Sequence, residues 1–250
     1  MQINPESQWF GNKEVDPDEK TKLVRGVFDS VADKYDLMND LMSAGVHRLW
    51  KDRLIRLIRP KAEDHHLDVA GGTGDIAFRI RKAAGEDTRI TVCDLDEAML
   101  NVGRDRALDK GWLTGFDWIT GNAEALPIPD ESVDVYTISF GLRNVTRIDN
   151  ALKQAYRVLK PGGRFYCLEF SHVDEPILAK LYDGYSNNVI PSLGQFIAKD
   201  RESYQYLIES IRKFPTQSEL EDRMRAAGFD FAKHINLSFG VVSIHYGWKI

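Results

Sequence analysis

Along the first sixty residues the apolar positions recur at helical steps, and beyond Pro60 the period changes. Leu23, Val24, Val27, Phe28, Val31, Ala32 and Tyr35 fall on one face of a helix beginning near Asp18. A second helix is predicted from about Val46 to Ile58, and Pro60 ends it because proline disfavours helical backbone in the residue before it. Short apolar runs then alternate with amphipathic stretches. Strands are predicted at 67–70, 89–94, 116–120, 133–139 and 164–170, and helices at 76–84, 96–110 and 148–159. Such alternation implies a parallel sheet with helices packed on its faces.

Residues 1–17 are polar, contain Pro5, Gly11 and Pro17, and show neither period, which predicts a loose arm. Residues 18–60 hold the N-terminal helices and 61–170 the sheet core. The stretch 171–215, with Tyr182, Tyr185, Phe196, Tyr204 and Tyr206, reads as a helical insertion able to cover a site. Within 216–250 a capped helix from Ser218 to Ala227 stops at Gly228, and strands at 229–239 and 241–248 meet in a tight turn at Gly240. The expected fold class is α/β: a doubly wound, mostly parallel seven-stranded sheet with a C-terminal antiparallel pair. One domain of 250 residues suffices, since a chain of this size buries roughly 70–75% of its unfolded surface.

Composition narrows the setting. No apolar run approaches the roughly 18–20 residues that span a bilayer, and the start Met1-Gln2-Ile3-Asn4-Pro5-Glu6 lacks a charged-then-apolar pattern. The expectation is a cytoplasmic protein. Cys93 and Cys167 fall in strands that others separate, so both are expected buried and reduced. A net charge of -5 argues against a nucleic-acid-binding surface. One stretch runs the other way: Arg48, Lys51, Arg53, Arg56, Arg59 and Lys61 face a single acid, Asp52. Two readings fit it. One is a helix lying on anionic lipid, a peripheral contact with the inner membrane face; the other is an amphipathic helix packed on the sheet with a solvated basic rim.

The candidate chemistry lies at the strand ends. Gly71, Gly72, Thr73 and Gly74 follow the first core strand, and Gly72-x-Gly74-x-x-Ala77 fits a turn in which the backbone approaches a nucleotide-like ligand. By itself this loop fits NAD, a flavin or S-adenosylmethionine equally well. Asp94 ends the next strand, where an acid accepts hydrogen bonds from ribose hydroxyls, although Asp96 competes with it for the role of helix cap. Asn122 and Ala123 follow the third strand, where an adenine would lie, and Ser139 ends the fourth. Leu159-Lys160-Pro161-Gly162-Gly163 makes a sharp helix-to-strand turn. His65, His66, His172 and His234 lack metal-ligand spacing, so no metal is expected.

The closing strand pair and the Leu-Lys-Pro-Gly-Gly turn resemble class I methyltransferases. Tyr35-Asp36-Leu37-Met38-Asn39-Asp40-Leu41-Met42-Ser43, continuing to His47-Arg48-Leu49-Trp50, Ser139-Phe140-Gly141-Leu142-Arg143-Asn144-Val145-Thr146, and Arg157 to Gly163 continuing to Leu168-Glu169-Phe170-Ser171 narrow this further. They resemble the ubiquinone/menaquinone biosynthesis C-methyltransferases from about Phe28 to the C-terminus. Tyr246 and Trp248 depart from that family's pattern.

The resemblance implies methyl transfer from S-adenosyl-L-methionine, leaving S-adenosyl-L-homocysteine, to a ring carbon of a polyprenylated benzoquinol of the 2-methoxy-6-polyprenyl-1,4-benzoquinol type, of demethylmenaquinol, or of both. It implies cofactor contacts at Thr73, Asp94, Asn122, Ala123 and Ser139. For the chemistry Arg143 is the candidate to stabilise the ring oxyanion, Asn144 and Tyr35 to fix the ring hydroxyl, and His47 to act as base; the competing readings are a salt bridge or helix contact for Arg143, core packing for Tyr35, and a place at the start of the second helix for His47. Two other classes stay open: an NAD-dependent oxidoreductase and a non-catalytic scaffold in a quinone-biosynthesis assembly. Oligomeric state is also open.

Overall fold

His65–Val69 (β3) is buried from its second residue onward, which marks it as the centre of a sheet covered on both faces. In the computed structural model, which describes residues 8–10, 13–16, 19–20, 22–24, 26, 43, 45–173 and 201–250, this strand is flanked by two parallel neighbours, Arg89–Asp94 (β4) and Val133–Ser139 (β6). Phe116–Thr120 (β5) and Leu159–Phe170 (β7) extend the parallel set, and Asp230–Leu237 (β8) and Val242–Trp248 (β9) close it antiparallel. The strand order is β5-β4-β3-β6-β7-β9-β8. Chain direction across the sheet reverses between β3 and β6, and the carboxyl ends of those two strands open a crevice there.

Helices α1 (His47–Ile58), α2 (Asp75–Ala84) and α5 (Arg201–Lys213) pack on one face through Trp50, Leu54, Ile58, Ile76, Ile80, Tyr206 and Ile211, and Leu100 of α3 (Glu97–Asp109) joins that cluster. Helices α4 (Ile148–Val158) and α6 (Gln217–Ala226) cover the other through Leu152, Ala155, Leu220 and Met224. Cys93 and Cys167 are buried free thiols on β4 and β7, with β3 and β6 between them, and burial pushes the Cys93 thiol up to about 12. Among the described residues no helix is long and apolar enough to cross a membrane.

Beyond shifts of one or two residues at element ends, three features differ from the sequence reading. Residues of the expected loose arm pair as a hairpin, Gln8–Phe10 (β1) with Lys13–Val15 (β2), and Val15 is buried; strands of three residues are too short to show a period. β7 starts at Leu159 rather than Arg164, because Gly162 N–H donates to Lys249 O at 2.6 Å and Lys249 N–H to Gly163 O at 3.0 Å, so the C-terminal partner extends the ladder. The hairpin of β8 and β9 turns through a 3₁₀ segment, Ser238–Gly240, not through Gly240 alone. Helix α6 is started by a capping box of Thr216 and Glu219. The described positions between 19 and 26 are helical. Val27, Phe28, Val31, Ala32, Tyr35, Asp36, Asn39, and the part of the expected helical cover that holds Tyr182, Tyr185 and Phe196 lie outside the described residues.

Candidate active site

The floor of the crevice is built by the turn from β3 into α2. A Cβ on Gly71 would come within 2.6 Å of Val92 Cγ1, so only glycine lets the turn lie this close to the sheet. Gly74, at φ +82°, supplies the left-handed residue from which α2 starts. Gly72 N–H donates to Asp94 Oδ2 at 2.8 Å and Asp96 N–H to Asp94 Oδ1 at 2.9 Å. Both acids line the crevice, but Asp96 Oδ1 caps α3 by accepting from Ala98 N–H and Met99 N–H, which frees Asp94 from that role. Burial pushes Asp94 up to about 6 despite those backbone donors. On β5's loop, Asn122 Oδ1 accepts from Glu124 N–H at 2.9 Å, an Asx turn that also lines the crevice.

The opposite wall leaves β6. Ala70 and Phe140, the residues just past β3 and β6, are both left-handed, at φ 50° and 55°. These turns abut so closely that a Cβ on Gly141 would meet Ala70 Cβ at 2.4 Å. Glu124 Oε1 accepts from Thr146 N–H and Arg147 N–H, each at 3.1 Å, and so stitches the β5 loop to this wall. Asn144 donates through Nδ2 to Phe140 O at 3.5 Å and accepts through Oδ1 from the Tyr206 hydroxyl at 3.1 Å.

Seven of the expected cofactor residues, Gly71, Gly72, Thr73, Asp94, Asn122, Ala123 and Ser139, line this one crevice, and Asn144 joins them. Gly74 sits behind, capping α2. Arg143 is not on the lining. Its guanidinium is buried against Glu169 of β7 (Nη1 to Oε1 2.7 Å), donates to Phe140 O at 2.6 Å, and lies 5.5 Å from the centroid of the Phe170 ring. Among the described residues the contacts of this guanidinium are thus internal, to Glu169 and to Phe140 O, and its Nε has no hydrogen-bond partner. His47 is also off the lining, buried at the start of α1, where Ser43 Oγ meets its Nδ1 at 3.0 Å and accepts its backbone N–H at 3.2 Å. Tyr35 lies outside the described residues.

Two residues of the crevice escaped the sequence reading. Asp68, within β3, accepts from Thr137 Oγ1 at 2.7 Å through one oxygen, and burial with the nearby charges of Asp75 and Asp94 pushes it up to about 7. Lys51 of α1 places its ammonium 2.7 Å from Asp75 Oδ2, while Arg79 takes Asp75 Oδ1 at 3.0 Å and also pairs with Asp52. Burial alone would raise Asp75, but Lys51 and Arg79 outweigh it and hold that carboxyl below the usual range. Asp68 Oδ2, Asp96 Oδ2 and Ser139 Oγ are buried with no hydrogen-bond partner among the described residues, and all three residues line the crevice. Buried polar atoms are normally satisfied, so this row of acceptors and one hydroxyl fits a ligand rich in donors, such as a ribose joined to an amino-acid ammonium.

The sequence model of the ubiE/COQ5 methyltransferase family matches residues 15–249. A ubiquinone/menaquinone biosynthesis C-methyltransferase of Methylobacterium nodulans is 55% identical over the full length of both chains. A mitochondrial 2-methoxy-6-polyprenyl-1,4-benzoquinol methylase of Oryza sativa is 54% identical over 96% of this chain and 88% of its own. Among solved structures, an S-adenosylmethionine-dependent methyltransferase of Thermotoga maritima superimposes with a TM-score of 0.64 at 21% identity, covering 91% of this chain and all of that one, a likeness of fold.

Proposed function

The chain belongs to the ubiE/COQ5 methyltransferase family, and from that premise we propose that it methylates a ring carbon of a polyprenylated quinol, with a benzoquinol or a demethylmenaquinol as acceptor. The observation that carries this reading is the single crevice at the β3/β6 reversal, where the Gly71–Thr73 turn, Asp94, Asn122 and Ser139 face the Phe140–Thr146 wall. Bound S-adenosylmethionine supplies a methyl group already activated as a sulfonium. Asp94, held by two backbone donors, has lone pairs left for a ribose diol; Asn122 and Ala123 flank the adenine; Asp68 and Ser139 take the donors at the other end. A ring hydroxyl that gives its proton to solvent pushes charge onto the neighbouring ring carbon, which would take the methyl group as S-adenosylhomocysteine leaves and then shed its own proton to restore the aromatic ring, so the chain must hold that oxygen in place. Asn144, on the lining and oriented by Tyr206, takes that role together with Tyr35. Arg143 is a positioning residue: by fixing Phe140 O and Glu169 it sets the shape of the wall that carries Asn144.

The test is direct. Incubation with S-adenosylmethionine and short-tailed demethylated quinols of both ring types should yield a ring-methylated product by mass spectrometry; no methylated ring in either incubation would overturn the reading.

We also propose peripheral contact with an anionic bilayer. Three features support it. Leu49 stands 65% exposed on α1 among exposed Arg48, Arg53 and Arg56, while Trp50, Leu54 and Ile58 face the sheet. Trp50 Nε1–H donates to Ser238 Oγ at 2.8 Å, joining α1 to the turn that presents Phe239 at 75% exposure. Ser238 and Phe239 are both left-handed, strain spent on exposing an aromatic ring at the crevice end of the sheet. An exposed leucine among arginines of α1, with an exposed aromatic ring on the turn joined to that helix, suits an anionic interface. Sedimentation with vesicles containing phosphatidylglycerol should carry the protein down, and the double substitution Leu49→Asp and Phe239→Asp should leave it in the supernatant; equal partitioning of both proteins would reject this surface.

A further inference from the structure

We propose that Lys51 is the anchor for the carboxylate of the methionyl group of the donor, a role that rests on the crevice being the donor site. Charge on the lining carries the argument. Asp68, Asp75, Asp94, Asp96 and Glu124 all face the crevice, and among its described residues Lys51 is the only cation. S-adenosylmethionine and S-adenosylhomocysteine both bring a free carboxylate to this acidic surface, where an unpaired anion is strongly disfavoured.

Position agrees with charge. Asp94 ends β4 and Asn122 follows β5, so the ribose and adenine extend toward the β5 side of the sheet. The amino-acid end must then lie over β3 and β6. The Lys51 ammonium sits there, 2.7 Å from Asp75 Oδ2 at the start of α2 and 5.9 Å from the centroid of the Phe140 ring just past β6. An ammonium has three donors. Asp75 accepts one of them, and it is the acceptor the ammonium reaches among the described residues. With Arg79 already on the other oxygen of Asp75, Lys51 can serve a second carboxylate without leaving Asp75 uncompensated. The start of α2 has no side-chain cap, so its peptide dipoles add to the positive field. Asp68 Oδ2, without a partner among the described residues, supplies the matching acceptor for the ammonium of the same amino acid.

The test compares S-adenosylhomocysteine with its decarboxylated analogue, which keeps the nucleoside, thioether and amine. Isothermal titration should show the wild type preferring S-adenosylhomocysteine, and Lys51→Met should weaken that ligand about 10- to 100-fold, the range of charge-assisted hydrogen bonds, while the decarboxylated analogue changes less than about two-fold. Lys51→Arg keeps the preference and serves where Lys51→Met does not fold. Asp75→Asn, which removes the internal partner but leaves the ammonium, also keeps it. Equal weakening of both ligands by Lys51→Met, loss of the preference in Asp75→Asn or Lys51→Arg, or a wild type indifferent to the carboxylate would overturn the assignment. Because the readout is ligand binding, a negative result stays separate from failure of the quinol reading.

Discussion

Two cation–carboxylate pairs flank Phe140, and they differ in what they can reach. Arg143 and Glu169 are 1% and 0% exposed, lie off the crevice, and form their hydrogen bonds with each other and with local backbone, Arg143 Nε having no partner among the described residues. Lys51 and Asp75 are 5% and 34% exposed, and both line the crevice. Burial outweighs the Arg143 charge and raises Glu169, whereas Lys51 and Arg79 outweigh burial and lower Asp75. The sealed pair therefore sets shape, and the pair at the crevice is available for recognition. Similar chemistry, at the backbone oxygen of Phe140 in one case and beside its ring in the other, yields different roles because one pair is closed to ligand and the other is not.

Breaking the sealed pair should give the largest effect. Arg143→Ala leaves Glu169 buried without its partner and should cost about 3–5 kcal/mol of folding stability by denaturant titration, whereas Arg143→Met combined with Glu169→Leu should recover most of it. A small loss for the single variant would mean that Arg143 is not a structural cation. Next comes Asp94→Asn, which places an amide where Gly72 and Asp96 donate. It should weaken S-adenosylhomocysteine binding about 10- to 100-fold by calorimetry, near 1.4–2.7 kcal/mol. Smaller again is the stability change expected for Lys51→Met: about 1 kcal/mol, because Arg79 keeps Asp75 compensated. A loss as large as that of Arg143→Ala would erase the distinction between the pairs.

The mildest effect is a pH dependence. Asp68 and Asp94 rise from 3.8 to about 7 and about 6 on folding. An acid whose folded pKa is raised contributes stability that is fully present below its unfolded value and is lost as pH rises through the folded one. The ligand-free protein should thus lose thermal stability between about pH 4 and pH 7 from these groups. The cationic donor favours their ionised forms, so its affinity should climb a few-fold over about pH 5.5 to 7.5, and Asp68→Asn should flatten that climb.

How much of this was legible in the chain follows from which contacts are local. The Gly71–Gly74 turn and Asp94 could be read because a strand, a turn and a helix fix their separation before any tertiary packing. Asp68 is not legible, since an acid inside a short strand has the pattern of the polar side of a half-exposed one; its burial depends on β4 and β6 arriving on either side. Arg143 read as catalytic from its place on the loop after Ser139. Its partner Glu169 lies 26 residues further on, and only the pairing of β6 with β7 brings it near. Lys51 looked like one more base on a basic helix. Period alone places it on α1, but that it turns inward while Arg48, Arg53 and Arg56 stay outside is decided by packing.

The two cysteines give the fold a chemical tolerance suited to the proposed acceptor. A quinol that loses two electrons becomes a quinone, an electrophile that adds to thiolates, and the thiolate is the reactive form of cysteine. Cys93 and Cys167 are the chain's whole complement; both are buried in the sheet, and burial pushes the thiol up to about 12 in the first and well above its ordinary range in the second. A protein built this way can meet the oxidised form of its own substrate without being alkylated by it.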